Sequence, residues 1–396
     1  MDSDRDLDWL ETHVGEAYGD EIVALRRHLH RNPELGFDTE RTATSVVEAL
    51  AGLPLEIRTG VAKNGVVATL HGEAGDGPTV GLRADMDALP IREQTGLPFA
   101  SEVEGKMHAC GHDGHTSMLV GAAHALSGMR DRLSGTVKFF FQPAEEGGRG
   151  GARVMLGEGV GDDVSCIFAL HLWPHLPFGT AATRGGAMMA ASDNFKLRIK
   201  GSGGHGAMPH LAVDAVVIAI QVVSALQTVI SREVDPAEPA VLTIGKIDAG
   251  TAFNVIPEGA EIVGTVRTMD PDLRQTLPRR IEELSQGVAR GMRGDAELDY
   301  NFGYPVTSND PETAARVFKV AEDLFGSERV IEAAKPSMGA EDFAFFLEKL
   351  PGAYIWLGTR DKEHTAPLHN PAFGFDEGVL PKGAALLAAL ALESLT

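Results

Sequence analysis

A chain of 396 residues is too long for one ordinary hydrophobic core, so two domains are expected. At 43% hydrophobic and 23% charged it has the make-up of a soluble globular protein, and no apolar run reads as the about 20 residues of a membrane span. The 56 acidic against 35 basic residues give a formal charge of −21, which argues against nucleic acid and anionic membranes as partners.

The opening stretch MDSDRDLDWLETH is acidic and lacks the basic and apolar blocks of a signal peptide, so a cytoplasmic address is expected. DWLETHVGEAYGDEIVALRRHLHR then reads as a helix and TERTATSVVEALAG as another. Strand-like runs follow in NGVVATLHG, PTVGLRAD, GTVKFFFQP and CIFALHLWP, each bounded by Gly or Pro. GHTSMLVGAAHALSGM, between them, has helical spacing. This alternation is that of an α/β sheet with covering helices.

From about residue 188 the rhythm changes. NFKLRIKG is a strand, LAVDAVVIAIQVVSALQTVISRE a long helix, and AVLTIGKIDAG and GAEIVGTVRT are two strands. PDLRQTLPRRIEELSQGVARGM is a second amphipathic helix, and AELDYNFGYPV a closing strand. The order β-α-β-β-α-β is ferredoxin-like. ETAARVFKVAEDLFG, GAYIWLGT and EGVLPKGAALLAALALESL then resume the first pattern. The expected architecture is a mixed-sheet α/β catalytic domain of residues 1–187 plus 301–396, with an α+β domain inserted at 188–300.

In open α/β sheets ligands gather beyond the carboxyl ends of the strands. Here PTVGLRA runs into Asp85 and Asp87, VKFFFQP into Glu145 and Glu146, and CIFAL into His171, while GAYIWLGT leads by a loop to His369. MHACGHDGH, residues 107–115, adds Cys110 and His112 ahead of a helix. Adjacent glutamates are ordinarily a solvated pair, and a single His after a strand is ordinarily structural. Their joint occurrence favours a metal site.

Two cysteines are no disulfide framework. Cys110 remains open to four readings: nucleophile, half of a bridge to Cys166, buried thiol, or metal ligand. Imidazole, carboxylate and thiolate together suit Zn²⁺, with Mn²⁺ and Co²⁺ as neighbours. There are more candidates than one four-coordinate ion needs, so two ions about 3.5–4 Å apart are expected. A deprotonated thiol can bridge them. Of Glu145 and Glu146, one can bind metal while the other takes a proton from water.

The chain resembles the aminoacylase/carboxypeptidase class of two-metal metallopeptidases, and within it the hippurate hydrolase-like N-acyl-amino-acid amidohydrolases. The likeness is carried in order by LRADMDALPI, MHACGHDGHTSML, FFFQPAEEGGRGGARVM, ALHLWP, GSGGHGAMPH, NVIPEGAEIVGTVRT, MGAEDFAFF and PLHNPAF. It implies that Cys110, His112, Glu146, His171 and His369 are ligands of two divalent ions per subunit, zinc or manganese, with cobalt or nickel as alternatives. Cys110 takes the bridging place that an aspartate holds in the wider class. The resemblance makes Glu145 the general base and His205, on the insert, the group that polarises the scissile carbonyl. Asn254 and Arg267 match positions that contact the substrate's carboxylate side. Asp85 and Asp87 would orient the ligands, and the insert becomes a lid through which a homodimer forms.

The implied reaction is hydrolysis of the amide of an N-acyl amino acid. Competing readings are a carboxypeptidase or dipeptidase acting on short peptides, a Cys110 nucleophile, and a catalytically silent metal- or peptide-binding protein. His108, His115 and His124 are expected to serve packing or supporting hydrogen bonds, and Cys166 to be a buried small residue. The glycines of EEGGRGGAR lack the GK[ST] ending of a phosphate loop and read as backbone room.

Overall fold

Short-range chemistry sets where several helices begin. Asp214, Asp270 and Asp310 stand just ahead of the helices Ala215–Thr228, Pro271–Gly291 and Pro311–Phe325, and each carboxylate accepts a first-turn backbone N–H. Two of these helices start with proline, whose missing N–H leaves no partner unsatisfied there.

The computed structural model describes residues 7–148 and 150–395. Residues 1–6 of the acidic opening stretch, Arg149 of EEGGRGGAR and Thr396 lie outside the described residues. The chain divides into two units. Among the described residues, one holds 7–188, Ser308–Lys335 and 342–395, and the other holds Met189–Thr307 with Pro336–Glu341.

The first unit begins with helices α1 (Asp8–Arg31) and α2 (Glu40–Ala49) and strands β1 (Leu55–Val61), β2 (Gly65–His71) and β3 (Thr79–Asp85). Helix α3 (His112–Ser127), strand β4 (Thr136–Gln142), the short helix α4 (Gly151–Gly157) and strand β5 (Cys166–Pro177) follow. The eight-stranded mixed sheet runs β1-β2-β4-β3-β5, then Gly352–Arg360, Ala181–Thr183 and Val330–Glu332. Its centre is parallel: β3 pairs in parallel with both β4 and β5, and β5 with Gly352–Arg360.

One sheet face buries Leu82, Phe139, Phe141, Phe168, Leu172 and Leu357 in the core that also takes in α3 and the helix Val379–Ser394. Helix α3 is buried at nearly every residue. At Gly121 a side-chain carbon would stand 2.4 Å from the Ile22 side chain, so glycine is what lets α1 and α3 approach.

The second unit is a four-stranded antiparallel sheet in the order Ala240–Ala249, Gly259–Thr268, Ala191–Lys200, Asp295–Tyr304. Helices Ala215–Thr228 and Pro271–Gly291 bury Ile218, Val222, Leu277 and Ile281 against Phe195, Leu197, Ile199 and Ile262. This is the ferredoxin-like order read from the sequence.

One expectation needs correction. The sequence shows no run long enough to span a membrane, yet Ala215–Glu233, 19 residues at mean hydropathy 1.7, meets that requirement by length and composition. Neutral Gln221, Ser224 and Gln227 break the run to the eye without adding charge. Its Ile218, Ala219, Val222 and Leu226 pack on the four-stranded sheet. Strand β1 and helix α4 carry little sequence signal: β1 is exposed along most of its length, so it has no buried alternation, and α4 begins inside a glycine-rich stretch.

Phe168 is fully buried in the central sheet. Phe168→Ala should lower the unfolding free energy by about 3–5 kcal/mol. Phe253→Ala, at a fully exposed side chain, should stay within about 0.5 kcal/mol. Guanidinium unfolding curves with matched slopes check both values.

Candidate metal centre

The parallel strands bring the candidate side chains to one level. Asp85 ends β3 beside Gln142, which ends β4, and His171 on β5 lies two residues beyond the Ala169 that pairs with Arg83. Helix α3 starts there with His112, led by Gly111 at φ 88, a backbone angle that favours glycine.

Among the described residues, four groupings of donors that include Cys110 or His112 form around these ends. Ligand atoms of Cys110, His112 and His171 lie within 4.8 Å of one another, as do those of Cys110, Glu146 and His369. His112 groups likewise with Glu145 and Glu146, and with Asp85 and His115. Cys110 belongs to the first two sets, the position a bridging ligand requires. Cys110 and Cys166 are not joined as a disulfide, which removes the bridge reading.

Hydrogen bonds orient the imidazoles. His112 Nδ1 donates to the Asp87 carbonyl at 2.7 Å, which leaves Nε2 unprotonated in the neutral ring. That Nε2 is buried and has no hydrogen-bond partner among the described residues, with Glu145 Oε2 4.0 Å away. His171 Nδ1 donates to the Leu172 carbonyl at 2.7 Å, and its Nε2 faces Cys110 Sγ at 3.4 Å. Two aimed imidazole nitrogens, a thiol between them and adjoining carboxylates fit a pair of divalent ions. His115 is different. Its Nδ1 donates to Asp85 at 2.6 Å and its Nε2 accepts the Leu172 N–H at 2.9 Å, so both nitrogens are engaged and neither is left to ligate. The sequence reading gave His115 no more than a supporting role, and these two bonds tie α3 to β3 and β5.

Asp87 serves both sides of the centre. Besides its carbonyl bond to His112, its carboxylate accepts the backbone N–H groups of Glu145 and Glu146 at 3.0 and 3.2 Å. Those glutamates follow Ala144, held at φ 58 without being glycine, and His369 is likewise held at φ 63. His369 Nε2 stands 3.2 Å from Glu146 Oε1, and its backbone N–H is bonded to the Ala109 carbonyl. In the turn after Glu146, a side-chain carbon on Gly151 would fall 1.7 Å from the Pro143 carbonyl oxygen. The reading as backbone room therefore holds at Gly151, whereas Gly147 and Gly148 stand in open space and serve the turn through their positive φ of 75 and 71.

Electrostatics favour a cation. Burial opposes the charged form of His112, but Asp85 and Asp87 outweigh it and hold its pKa up at about 10. Burial likewise opposes the Asp85 carboxylate, which His112, His115 and Arg83 nonetheless keep well below its ordinary range. Burial, then the neighbouring His115, holds His171 well below its ordinary value, so that ring is neutral and ready to donate electrons. His108 is also buried, with burial driving its pKa to about 3, and His124 bonds the Ala49 carbonyl.

The other candidates lie on the second unit. His205 is exposed on the two-residue strand Gly204–His205, paired with Val255–Ile256, and its Nδ1 accepts the Ala207 N–H at 3.0 Å. That bond puts the ring proton on Nε2. Asn254 is exposed, and its carbonyl accepts the Gly206 N–H. Arg267 is half-buried on the strand Gly259–Thr268.

The model of peptidase family M20/M25/M40 matches residues 81–393. An N-acetylcysteine deacetylase of Bacillus subtilis is 42% identical, with 95% of this chain and 97% of that protein aligned. Thermostable carboxypeptidase 2 of Saccharolobus solfataricus is 40% identical over 94% of this chain and 95% of its own. A crystal structure from Bacillus subtilis, described as a dinuclear metal-binding peptidase of the M20 family, superposes with a TM-score of 0.85 at 39% identity, covering 96% and 99% of the two chains.

Metal uptake by the free protein should displace the His112 proton, because that group stays protonated below about 10. Co²⁺ affinity should therefore rise with pH, by about tenfold per unit for each proton released, between about pH 6 and 8. Cobalt titrations at several pH values check this, and a pH-independent affinity would refute it. In the same assay Cys110→Ser should weaken binding, and Cys166→Ser should leave it unchanged.

Proposed function

The chain belongs to peptidase family M20/M25/M40, and from that membership we propose that it hydrolyses the amide bond of N-acyl amino acids, N-acetyl or hippurate-like, with two divalent ions per subunit. The carrying observation is the pair of donor sets that share Cys110: Cys110–His112–His171 and Cys110–Glu146–His369. Zinc or manganese suits this mixture of thiolate, imidazole and carboxylate, with cobalt or nickel as substitutes. The 40% identity to a carboxypeptidase supports a second reading, cleavage of short peptides with a free carboxylate.

Bound ions in such a centre acidify water and draw electrons from a carbonyl. Glu145, buried beside His112 and not needed in either set that shares Cys110, accepts the proton of the attacking water and returns it to the leaving amine. His205, protonated on Nε2, donates to the carbonyl oxygen as negative charge develops there. The Arg267 guanidinium fits the fork of an α-carboxylate, with Asn254 alongside. Asp85 and Asp87 hold the ligands in place.

The second unit exposes Met208, Leu211, Val217 and Ile220. An apolar surface of this kind suits pairing of two copies through the inserted domain. In that homodimer His205 serves the metal centre of the partner subunit.

Exhaustive chelation should abolish turnover of N-acyl amino acids, and Zn²⁺, Mn²⁺ or Co²⁺ should restore it. Glu145→Gln should keep close to two metals per chain and lose about 10²–10⁴-fold in kcat. Metal loss in step with activity would make Glu145 a ligand instead. His205→Ala should lower kcat with metal content intact. Verified hybrid dimers of His205→Ala and Glu145→Gln subunits should regain activity, and inert hybrids would exclude action across the dimer.

A further inference from the structure

Behind the glutamate turn lies a buried polar cluster to which no catalytic role has been given. Asp342, fully buried, accepts the Gln142 side-chain N–H₂ at 2.7 and 2.8 Å and the Ala152 backbone N–H at 2.9 Å. Gln142 ends β4 and Ala152 lies in the first turn of α4, so these two residues are the feet of the turn that carries Glu145 and Glu146. The same carboxylate accepts Arg83 Nη2 at 2.8 Å. Arg83, itself buried, donates through Nη1 to Asp85 at 2.7 Å and through Nε to Gln142 Oε1 at 2.9 Å. Asp85 in turn holds His115, which holds the backbone beside His171.

We infer that Asp342 is a positioning residue: it clamps both feet of the Glu145 turn and, through Arg83, locks that turn to Asp85 and the ligand side of the centre. The inference rests on the metal-dependent hydrolase reading. A buried Arg–carboxylate cluster is a weak source of stability, because apolar groups of the same volume do as well or better. What such a cluster supplies is fixed geometry, and here each of its bonds ends on a segment that carries a candidate catalytic or ligand residue. The Asp342 carboxylate lies within 4.8 Å of the Glu145 carboxylate but belongs to neither donor set that shares Cys110, so its loss should disturb where Glu145 stands before it disturbs which atoms hold metal.

The test uses full-length protein loaded with Co²⁺, comparing wild type, Asp342→Asn and Gln142→Met. The asparagine keeps the shape and removes the charge that Arg83 and both feet share. The methionine cuts the β4 foot and leaves Arg83 paired with Asp85 and Asp342. In Asp342→Asn, kcat should fall about 10–100-fold, since a misplacement of about 1 Å can cost about 10²-fold. KM should stay within about threefold, because ground-state binding is untouched. Two cobalt ions per chain and the thiolate-to-cobalt absorption band should persist. Gln142→Met should show the same pattern at about threefold or more, and it decides the matter alone if Asp342→Asn does not fold. A kcat within about twofold of wild type in the folded variants overturns the inference, as does a kcat loss matched by loss of cobalt or of the thiolate band. An inert wild-type protein would overturn the hydrolase reading and the inference together, whereas an active one with unaffected variants overturns the inference alone.

Discussion

Asp87 holds the two halves of the centre to each other. Its carbonyl accepts the His112 ring N–H, and its carboxylate accepts the backbone N–H groups of Glu145 and Glu146. One residue thus sets the tautomer of an imidazole on α3 and the path of a turn leaving β4. Burial pushes the Asp87 carboxyl up, toward its neutral form, and the bonds and charge of His112 work the other way. A bound cation would reinforce the charged form, because it removes the surplus negative field that Asp85 and Glu146 create there.

The sheet makes this convergence possible. Three parallel neighbours, β4, β3 and β5, end at one edge, so residues far apart in the chain arrive level with one another. The ligand atoms are then aimed by main-chain carbonyls, for His112 and His171 alike. Carbonyls of a packed sheet edge and its adjoining loop move little, so the donors are preorganised. The second unit is built on a different plan, with its candidate side chains on an exposed two-residue strand and on a strand of an antiparallel sheet.

Much of the donor set was legible in the sequence because its members follow apolar strand runs or open a helix, and Gly and Pro punctuate each run. The ordered motifs then gave each residue a role. Less visible were the residues that act on other residues. Nothing local marks Asp342 as the partner of Arg83, since the two meet only when β3 is brought against a segment 259 positions away. His115 looked like one more histidine of MHACGHDGH. Its two hydrogen bonds, to Asp85 and to the Leu172 N–H, exist only in three dimensions. Strand β1 is not legible because Glu56, Ile57, Arg58 and Thr59 are all exposed and leave no period-two signature.

Ala144 and His369 carry a consequence for laboratory evolution. Both occupy the left-handed backbone region without being glycine, one immediately before Glu145 and the other at a candidate ligand. Holding an ordinary residue there costs roughly 1–2 kcal/mol, which the surrounding packing and the His369–Ala109 backbone bond must offset. A library screened for heat tolerance alone would find relief by placing glycine or asparagine at these positions. The same replacements would free the turn ahead of Glu145 and delete the imidazole at 369. Selection for endurance and selection for turnover would therefore pull these two sites in opposite directions.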